Sequence, residues 1–529
     1  MIIENMTDME DQNSQTVPST EHKNITEVSG YRSYTPPEKT SRVYEAYEAF
    51  FALLAILAGY LFIKTDPTYT PFYGSLMIIA MYAYGAFFIR MNGKKSNVIY
   101  MLFAAIMAVS IFINGENIIS FYAYCAAVLG WCVYVFTSFS GGQAVSDWFF
   151  ADSLKAIFVM PFSAFGSVFG ALASAVKDKG STKKILTAIA ALAASLIPCA
   201  MIISLLSYDS EFARIMNRIC EAFDIDFWSE FTVFLFSIPC SMYIFGCLIG
   251  NKDGRKSDVL THERCSAASM NARSVAPAAC AAFSIPILAV YAVFFFSQKE
   301  LYLSAFTGQL PKGYIYSSYA VEGFFELVKV SVINAAVILA VERFGREDTE
   351  VASTFKKVNA VIFILVTLIL MSTAFAKLML YISIYGMTLR RMLAGWFLSV
   401  LAACFVLAAV KQFVPDFKLT KAIVYLCTAA FVILCLVSPA RLIANYNVNA
   451  YLSGQIRHLD IRSFRDLGYS AIEPLARALE SNKLPADLKE NIKNFLEYKS
   501  DITYSDPVGT LSLPYIRAMK ILRSLGFIN

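Results

Sequence analysis

Apolar runs of about twenty residues, parted by short polar turns, fill the chain from residue 46 to residue 438. At a rise of about 1.5 Å per residue, about 20 residues cross the hydrocarbon layer as a helix. The runs at 46–63, 71–89, 97–113, 118–137, 184–206, 230–250, 275–297, 319–341, 358–382, 392–410 and 422–438 each predict one span. They are too long for barrel strands, and backbone groups in lipid must bond internally. The expected fold is therefore an all-α polytopic bundle of eleven spans over residues 43–440. Residues 1–42 are polar and read as a disordered tail. They lack the basic start and short apolar core of a cleaved signal peptide. From about residue 441 the pattern shortens to amphipathic stretches at 470–481, 485–499 and 513–525, predicting a small soluble helical domain over 441–529. In the last stretch Tyr515, Met519, Leu522 and Leu525 share a face.

The basic residues fix a topology. Lys39 and Arg42 precede the first span; Arg90, Lys94 and Lys95 follow the second. Lys252, Arg255, Lys256, Arg264 and Arg273 mark the loop 251–273, and Lys356, Lys357, Lys411, Lys418 and Lys421 mark the next two loops of the same side. Loops rich in Lys and Arg stay cytoplasmic, so the N-terminus is expected inside and the C-terminus outside. Arg390 and Arg391 fall in an outer loop against this rule. The stretch 147–176 is long enough to span, but Lys residues flank it on both sides and Pro161 interrupts it. A crossing there would invert every later loop, so the stretch reads as interfacial or re-entrant.

Composition narrows the classes further. At 57% hydrophobic and 16% charged residues, the chain cannot be a soluble globule. The net charge of +5 sits between the spans and reports topology rather than nucleic-acid binding. The lipid bilayer is the one partner the pattern calls for. Nine of the 11 cysteines lie inside apolar spans and no C-x-x-C occurs, so no disulfide framework follows. The three histidines are scattered, and no metal site or cofactor is expected. Signatures of P-loop nucleotide hydrolases, serine and zinc hydrolases and kinases are all missing from the sequence.

The best candidate for chemistry is the span 319–341, which carries Glu322, Glu326, Lys329 and Asn334. On a helix Glu322, Glu326 and Lys329 fall within about 60° of one another. An ionised group at mid-membrane costs about 2.5–3.5 kcal/mol on insertion scales, so the stripe should face other helices or a watery cavity. Lys377 in the next, antiparallel span lies at a similar depth, Arg390 and Arg391 just beyond it, and Glu230 begins another span from the same side. Together they would form an outward vestibule for a cation, a proton or a zwitterionic group. The alternative is a packing device: a Glu326–Lys329 pair within the helix, with Glu322 reaching the interface.

Two weaker features stand beside it. The outer loop 207–229 holds Asp209, Glu211, Asp224 and Asp226, carboxylates that would hold a divalent metal against a lipid phosphate. Phe212, Met216, Ile219 and Phe223 recur there at helical spacing, so an amphipathic helix on the membrane explains the same residues. Pro198, Pro239 and Pro286 interrupt three successive spans, a pattern of transporter sites and of ordinary tolerated kinks alike.

Several stretches carry a family resemblance: L-L-S-Y-D-S-E-F (205–212), Y-A-V-E-G-F-F-E-L (319–327), Y-I-S-I-Y-G-M-T-L-R-R (381–391), P-A-R-L-I-A-N-Y-N-V (439–448) and R-D-L-G-Y-S-A-I-E-P-L (465–475). In this order they resemble the bacterial multi-spanning membrane proteins grouped as domain of unknown function 4153/4173, over roughly residues 185–480. A basic residue usual in that group is replaced by Val321, so any role for that charge is absent here. The resemblance implies a bacterial cytoplasmic membrane protein and supplies no activity and no catalytic residues. Three functional classes stay open: a transporter-like or ligand-sensing protein using Glu322, Glu326, Lys329, Asn334, Lys377 and Arg390; a membrane enzyme acting on a lipid-linked substrate; and a structural or assembly subunit.

Overall fold

Prolines, asparagines and threonines punctuate the apolar runs and set where each helix begins. In the computed structural model Pro71 opens α2, and the side chains of Asn97, Asn117, Thr349 and Thr388 accept hydrogen bonds from the first-turn amides of four other helices. The structure describes residues 44–174, 227–254, 261–297, 316–481, 483–502 and 508–528, with isolated positions between 202 and 218. The expected N-terminal tail, the span 184–206 and the acidic loop 207–229 lie outside the described residues, those isolated positions aside.

The first helices are α1 (Ala46–Lys64), α2 (Pro71–Met91), α3 (Val98–Asn114) and α4 (Ile118–Ser140). A bent pair follows, α5 (Phe149–Ser163) and α6 (Ser167–Ser174). Next come α7 (Phe227–Lys252), the short α8 (His262–Asn271), α9 (Pro277–Ser297), α10 (Tyr316–Phe344), α11 (Glu350–Tyr385), α12 (Leu389–Phe413) and α13 (Leu419–Leu436). Ten of the eleven expected spans thus appear as helices, eight of them both long and apolar enough to cross a membrane. No strand occurs among the described residues beyond an isolated Val275–Gly345 bridge.

Three apolar cores organise the chain. The first joins α1 to α4 with α7 and holds Phe51, Ile78, Phe88, Trp131, Tyr134 and Phe245. Its buried aromatic donors are satisfied: the Trp131 indole donates to the Met81 carbonyl at 2.9 Å and the Tyr82 hydroxyl to the Ala127 carbonyl at 3.0 Å. Helices α1 and α7 run antiparallel and are tied at both ends. Lys64 meets Glu230 at 2.7 Å, and Lys252 meets Glu48 at 2.9 Å. The second core joins α9 to α12 around Phe363, Leu370, Ala374 and Leu398. Helix α13 bridges the two, resting on α3, α4 and α12.

The bent pair does not cross. Lys155, in its first half, lies over the Phe136 ring near the end of α4. Its middle abuts the last turns of α7, where a Cβ on Gly250 would lie 2.2 Å from the Met160 carbonyl oxygen and one on Gly246 2.5 Å from that of Pro161. Its last helix abuts Tyr44, at the start of α1, where a Cβ on Gly170 would come within 2.7 Å. All three contacts fall at the Lys252 end of the bundle, so the segment enters and leaves by one face. A 48° bend separates its halves. That face also carries the helix ends and turns at Arg90, Lys94, Lys95, Arg273, Lys356, Lys411 and Lys421, and is called here the basic face.

The third core is C-terminal. Helix α14 (Pro439–Leu452), a 3-10 stretch (Ile461–Ala471), α15 (Ile472–Leu479), α16 (Ala486–Ile502) and α17 (Leu513–Ser524) pack around Ile443, Phe464, Leu475, Ile492, Leu496 and Leu522. Leu525 is 39% exposed, and the inward face of α17 is Pro514, Ala518 and Leu522, with Tyr515 and Met519 half-buried beside it. The helix ends one residue earlier than its apolar pattern, which turns Leu525 outward. This domain sits on the face opposite the basic one: the Phe72 amide donates to the Gly509 carbonyl at 3.1 Å, and Lys499 meets Glu116 at 3.0 Å.

Candidate functional site

Two tight turns position a cleft between the bundle and the C-terminal domain. The first follows α11. Gly386 has φ +76°, a left-handed conformation that favours glycine, and a Cβ there would lie 2.8 Å from Asn447 Oδ1. The Asn447 amide accepts from the Met387 N–H and donates to the Met387 carbonyl, both at 2.7 Å, fastening the turn to α14. Arg391 donates to the Tyr385 carbonyl at 3.2 Å and stacks 4.0 Å from the Tyr381 ring centre. It is spent on holding the turn. Its neighbour Arg390 is exposed and makes no hydrogen bond or ion pair among the described residues.

The second turn lies inside the 3-10 stretch. Gly468 has φ +58°, and a Cβ there would lie 2.3 Å from the Glu116 carbonyl oxygen. No other residue fits so close to the 114–117 loop. The loop answers with Asn117, whose amide donates to the Asp466 carbonyl at 3.3 Å, and with Glu116, which pairs with Lys499. Lys499 is 8% exposed and Glu116 19%, and the ammonium also lies 4.9 Å from the Tyr469 ring centre.

Between these turns opens a cleft of 710 Å³. The bundle contributes Tyr69, Glu116, Asn117, Tyr122 and Arg390; the C-terminal domain contributes Ser463, Arg465, Asp466 and Lys499. Arg465 makes no hydrogen bond or ion pair among the described residues and rests 5.7 Å from the Tyr498 ring centre. Three cations face two carboxylates, so the lining is positive by one charge. Two exposed tyrosine rings and two uncommitted guanidinium groups suit a ligand with an acidic group and a flat or apolar face.

The residues singled out from the sequence are divided by the fold. Glu322 lies in α10, its side chain outside the described residues. Glu326 and Lys329 are exposed on α10 and form no ion pair with each other among the described residues. Lys377 on α11 is 6% exposed and interacts electrostatically with Glu326. Asn334 is fully buried. It accepts from the Tyr291 hydroxyl at 2.6 Å and donates to the Thr367 hydroxyl at 2.9 Å, joining α9, α10 and α11. Arg390 lines the cleft under the C-terminal domain, and neither Glu326 nor Lys377 does. Glu230 serves α1 and α7 through Lys64 and Tyr60. The vestibule expected from depth alone is thus divided: Glu230 belongs to α1 and α7, Arg390 to the cleft, and Glu326 and Lys377 to α10 and α11. Arg465, Lys499, Glu116 and Asn117 were not legible as site residues. Their signal is the pair of glycines, 386 and 468, in stretches read only as family likeness.

This is a multi-pass helical membrane protein with a helical domain seated on one face of its bundle. It belongs to the family described as Domain of unknown function (DUF4153), whose model matches residues 99–478. The match begins well before the 185–480 region of resemblance and takes in α3, α4 and the bent pair. No curated protein and no solved structure matches the chain.

Proposed function

We propose that this protein is a ligand-sensing protein of the bacterial cytoplasmic membrane, and that its ligand is an acid-bearing polar solute bound outside the cell. The observation that carries the proposal is the shared wall of the 710 Å³ cleft: bundle residues on one side, domain residues on the other. A ligand held between Arg390 and Arg465 contacts both bodies and shifts the equilibrium between docked and undocked domain by its differential affinity for the two. The outward placement follows from the positive-inside rule applied to the basic face, which lies opposite the domain. The test is thermal unfolding of the purified full-length protein with citrate, inorganic phosphate or glucose 6-phosphate. At least one probe should raise the midpoint in the native protein and fail to do so in Arg465→Gln. A flat response to all three, with native and variant alike, removes the proposal.

Transport is the second reading, favoured by a different observation. The helix broken by a π turn at Lys155–Val159 walls a cavity of 590 Å³ on the basic face, and irregular backbone at membrane depth is tolerated where it lines such a cavity. In this reading the electrostatic attraction between Glu326 and Lys377 belongs to the pathway, with Glu322, Lys329 and Asn334 along it. Single cysteines at 326 and 329, with Cys220 changed to Ser, probe it in intact cells. Labelling of both by an impermeant thiol reagent would support a water-filled path; labelling of neither in a well-inserted protein would end this reading.

A further inference from the structure

Beside the cleft, the C-terminal domain carries a second hollow of 500 Å³, a groove between α16 and the segment 458–465. Asp487, Asn491, Asn494 and Tyr498 recur on α16 at spacings of four, three and four, which puts them within about 60° of one another in a row about 16 Å long. All four are exposed, while Ile492, Phe495 and Leu496 between them turn into the third core. His458, Asp460, Arg462 and Arg465 form the facing wall.

Groove and cleft meet at one side chain. Arg465 lines both, and on α16 Tyr498 lines the groove while the next residue, Lys499, lines the cleft. Charge changes along this path. The cleft has one cation in excess, whereas in the groove two guanidinium groups face two carboxylates, with His458 beside them. The side chains of His458, Arg462, Asp487, Asn491 and Asn494 make no hydrogen bond or ion pair among the described residues. Amides, carboxylates and guanidinium groups are flat and present their donors or acceptors in pairs. Adjacent sugar hydroxyls, each both donor and acceptor, match such pairs, and the C–H face of a sugar matches the ring of Tyr498, which is 51% exposed. A peptide is held instead by apolar pockets or by a strand edge. The apolar residues of the groove are buried or half-buried, and no strand edge occurs among the described residues.

We infer that the ligand of the cleft is the acidic end of a short glycan whose neutral sugars lie along this groove. This deepens the ligand-sensing reading and rests on it: the acid sits between Arg390 and Arg465, and the sugars that follow pass Tyr498 and bond to Asn494, Asn491 and Arg462. Such a ligand covers more of the domain than a compact acid does, so chain length as well as acidity sets the response.

The test is titration calorimetry of the full-length protein with glucuronic acid and with the same acid joined to xylotriose. The acid alone reports the cleft, and the gain from adding the chain reports the groove. The tetrasaccharide should bind about tenfold more tightly than glucuronic acid, the scale of one or two hydrogen bonds made in water. Asn491→Ala combined with Asn494→Ala should abolish that gain and leave glucuronic acid binding as it was; both side chains are exposed, so the fold is kept. Arg465→Gln should weaken both ligands. Equal binding of acid and tetrasaccharide, or a gain that survives the double variant, overturns the groove and leaves the cleft reading standing. The same gain from a glutamyl-triserine peptide over glutamate, lost in the same double variant, overturns the sugar in favour of a peptide. Binding of neither acid removes this inference together with the reading it rests on.

Discussion

The two halves of the bundle spend their polar residues differently. In α1–α4 and α7 the charges stand at the ends, Lys64 with Glu230 and Lys252 with Glu48, and the middle is closed by aromatic rings and bare glycine faces. In α9–α12 polar groups also meet away from the ends: Asn334 is bonded to Tyr291 and Thr367, and Lys377 lies near Glu326, while Lys356, 3% exposed, is gathered at the basic-face end among Glu342, Glu347 and the Glu342 carbonyl. Close backbone packing has one good arrangement, because interiors are near-crystalline in density. Polar contacts inside a bundle can be exchanged for water or for one another. The first half is held together by close packing, and the second half by buried polar contacts as well.

Substitutions break this comparison at different points. The largest effect is expected in the first half. Gly250→Val drives a side chain into the Met160 carbonyl, and overpacking of this kind costs about 3 kcal/mol or more. The thermal midpoint in detergent should fall sharply, and an unchanged midpoint would mean that the bent pair does not rest on α7. Next is the joint to the C-terminal domain. Glu116→Gln leaves the buried Lys499 ammonium without its carboxylate, at about 3 kcal/mol. Because only the joint is touched, limited proteolysis should release the domain while the spans stay protected. A smaller loss, about 2 kcal/mol, is expected for Asn334→Leu, which strands the Tyr291 hydroxyl and leaves Thr367 with only its bond to the Phe363 carbonyl. Lys329→Gln, on an exposed surface, should stay within about 0.5 kcal/mol by the same unfolding assay. If Lys329 proved costlier than Asn334, the interior of the second half would have been assigned to the wrong helix face.

The spans were legible because length and hydropathy decide them one at a time. Where sequence and structure differ, tertiary contact is the reason. Helix α11 begins at Glu350, well before its apolar run at 358, because Thr349 caps it and Lys356 finds carboxylates beside it. Segment 149–174 was legible as non-crossing from its flanking lysines, whereas its docking on Gly246 and Gly250 was not, since a close approach between distant segments leaves no periodic trace. The candidate site was the least legible part. Depth along a helix places Glu230, Arg390 and Lys377 at one level, but it is blind to which neighbour each helix faces. The cleft at Arg390 is completed by residues 73 and more positions away, from Ser463 on one side and Asn117 on the other, and Gly468 marks it only once the Glu116 loop is seen against it.

The seat of the C-terminal domain has a consequence for how the chain is made. The domain grips the first half at Phe72, Glu116 and Asn117 and the second half at Met387, through Gly509, Lys499, the Asp466 carbonyl and Asn447. Every one of those four gripping residues lies C-terminal to the last span, so translation delivers them last. Until they arrive, the halves are joined on that surface through α13, where the Asn114 amide donates to the Cys435 carbonyl. Ribosome-bound chains stalled once the α13 span has inserted would therefore carry two halves joined through α13 but not yet gripped by the domain, and the residues after 440 act as the clasp on that surface.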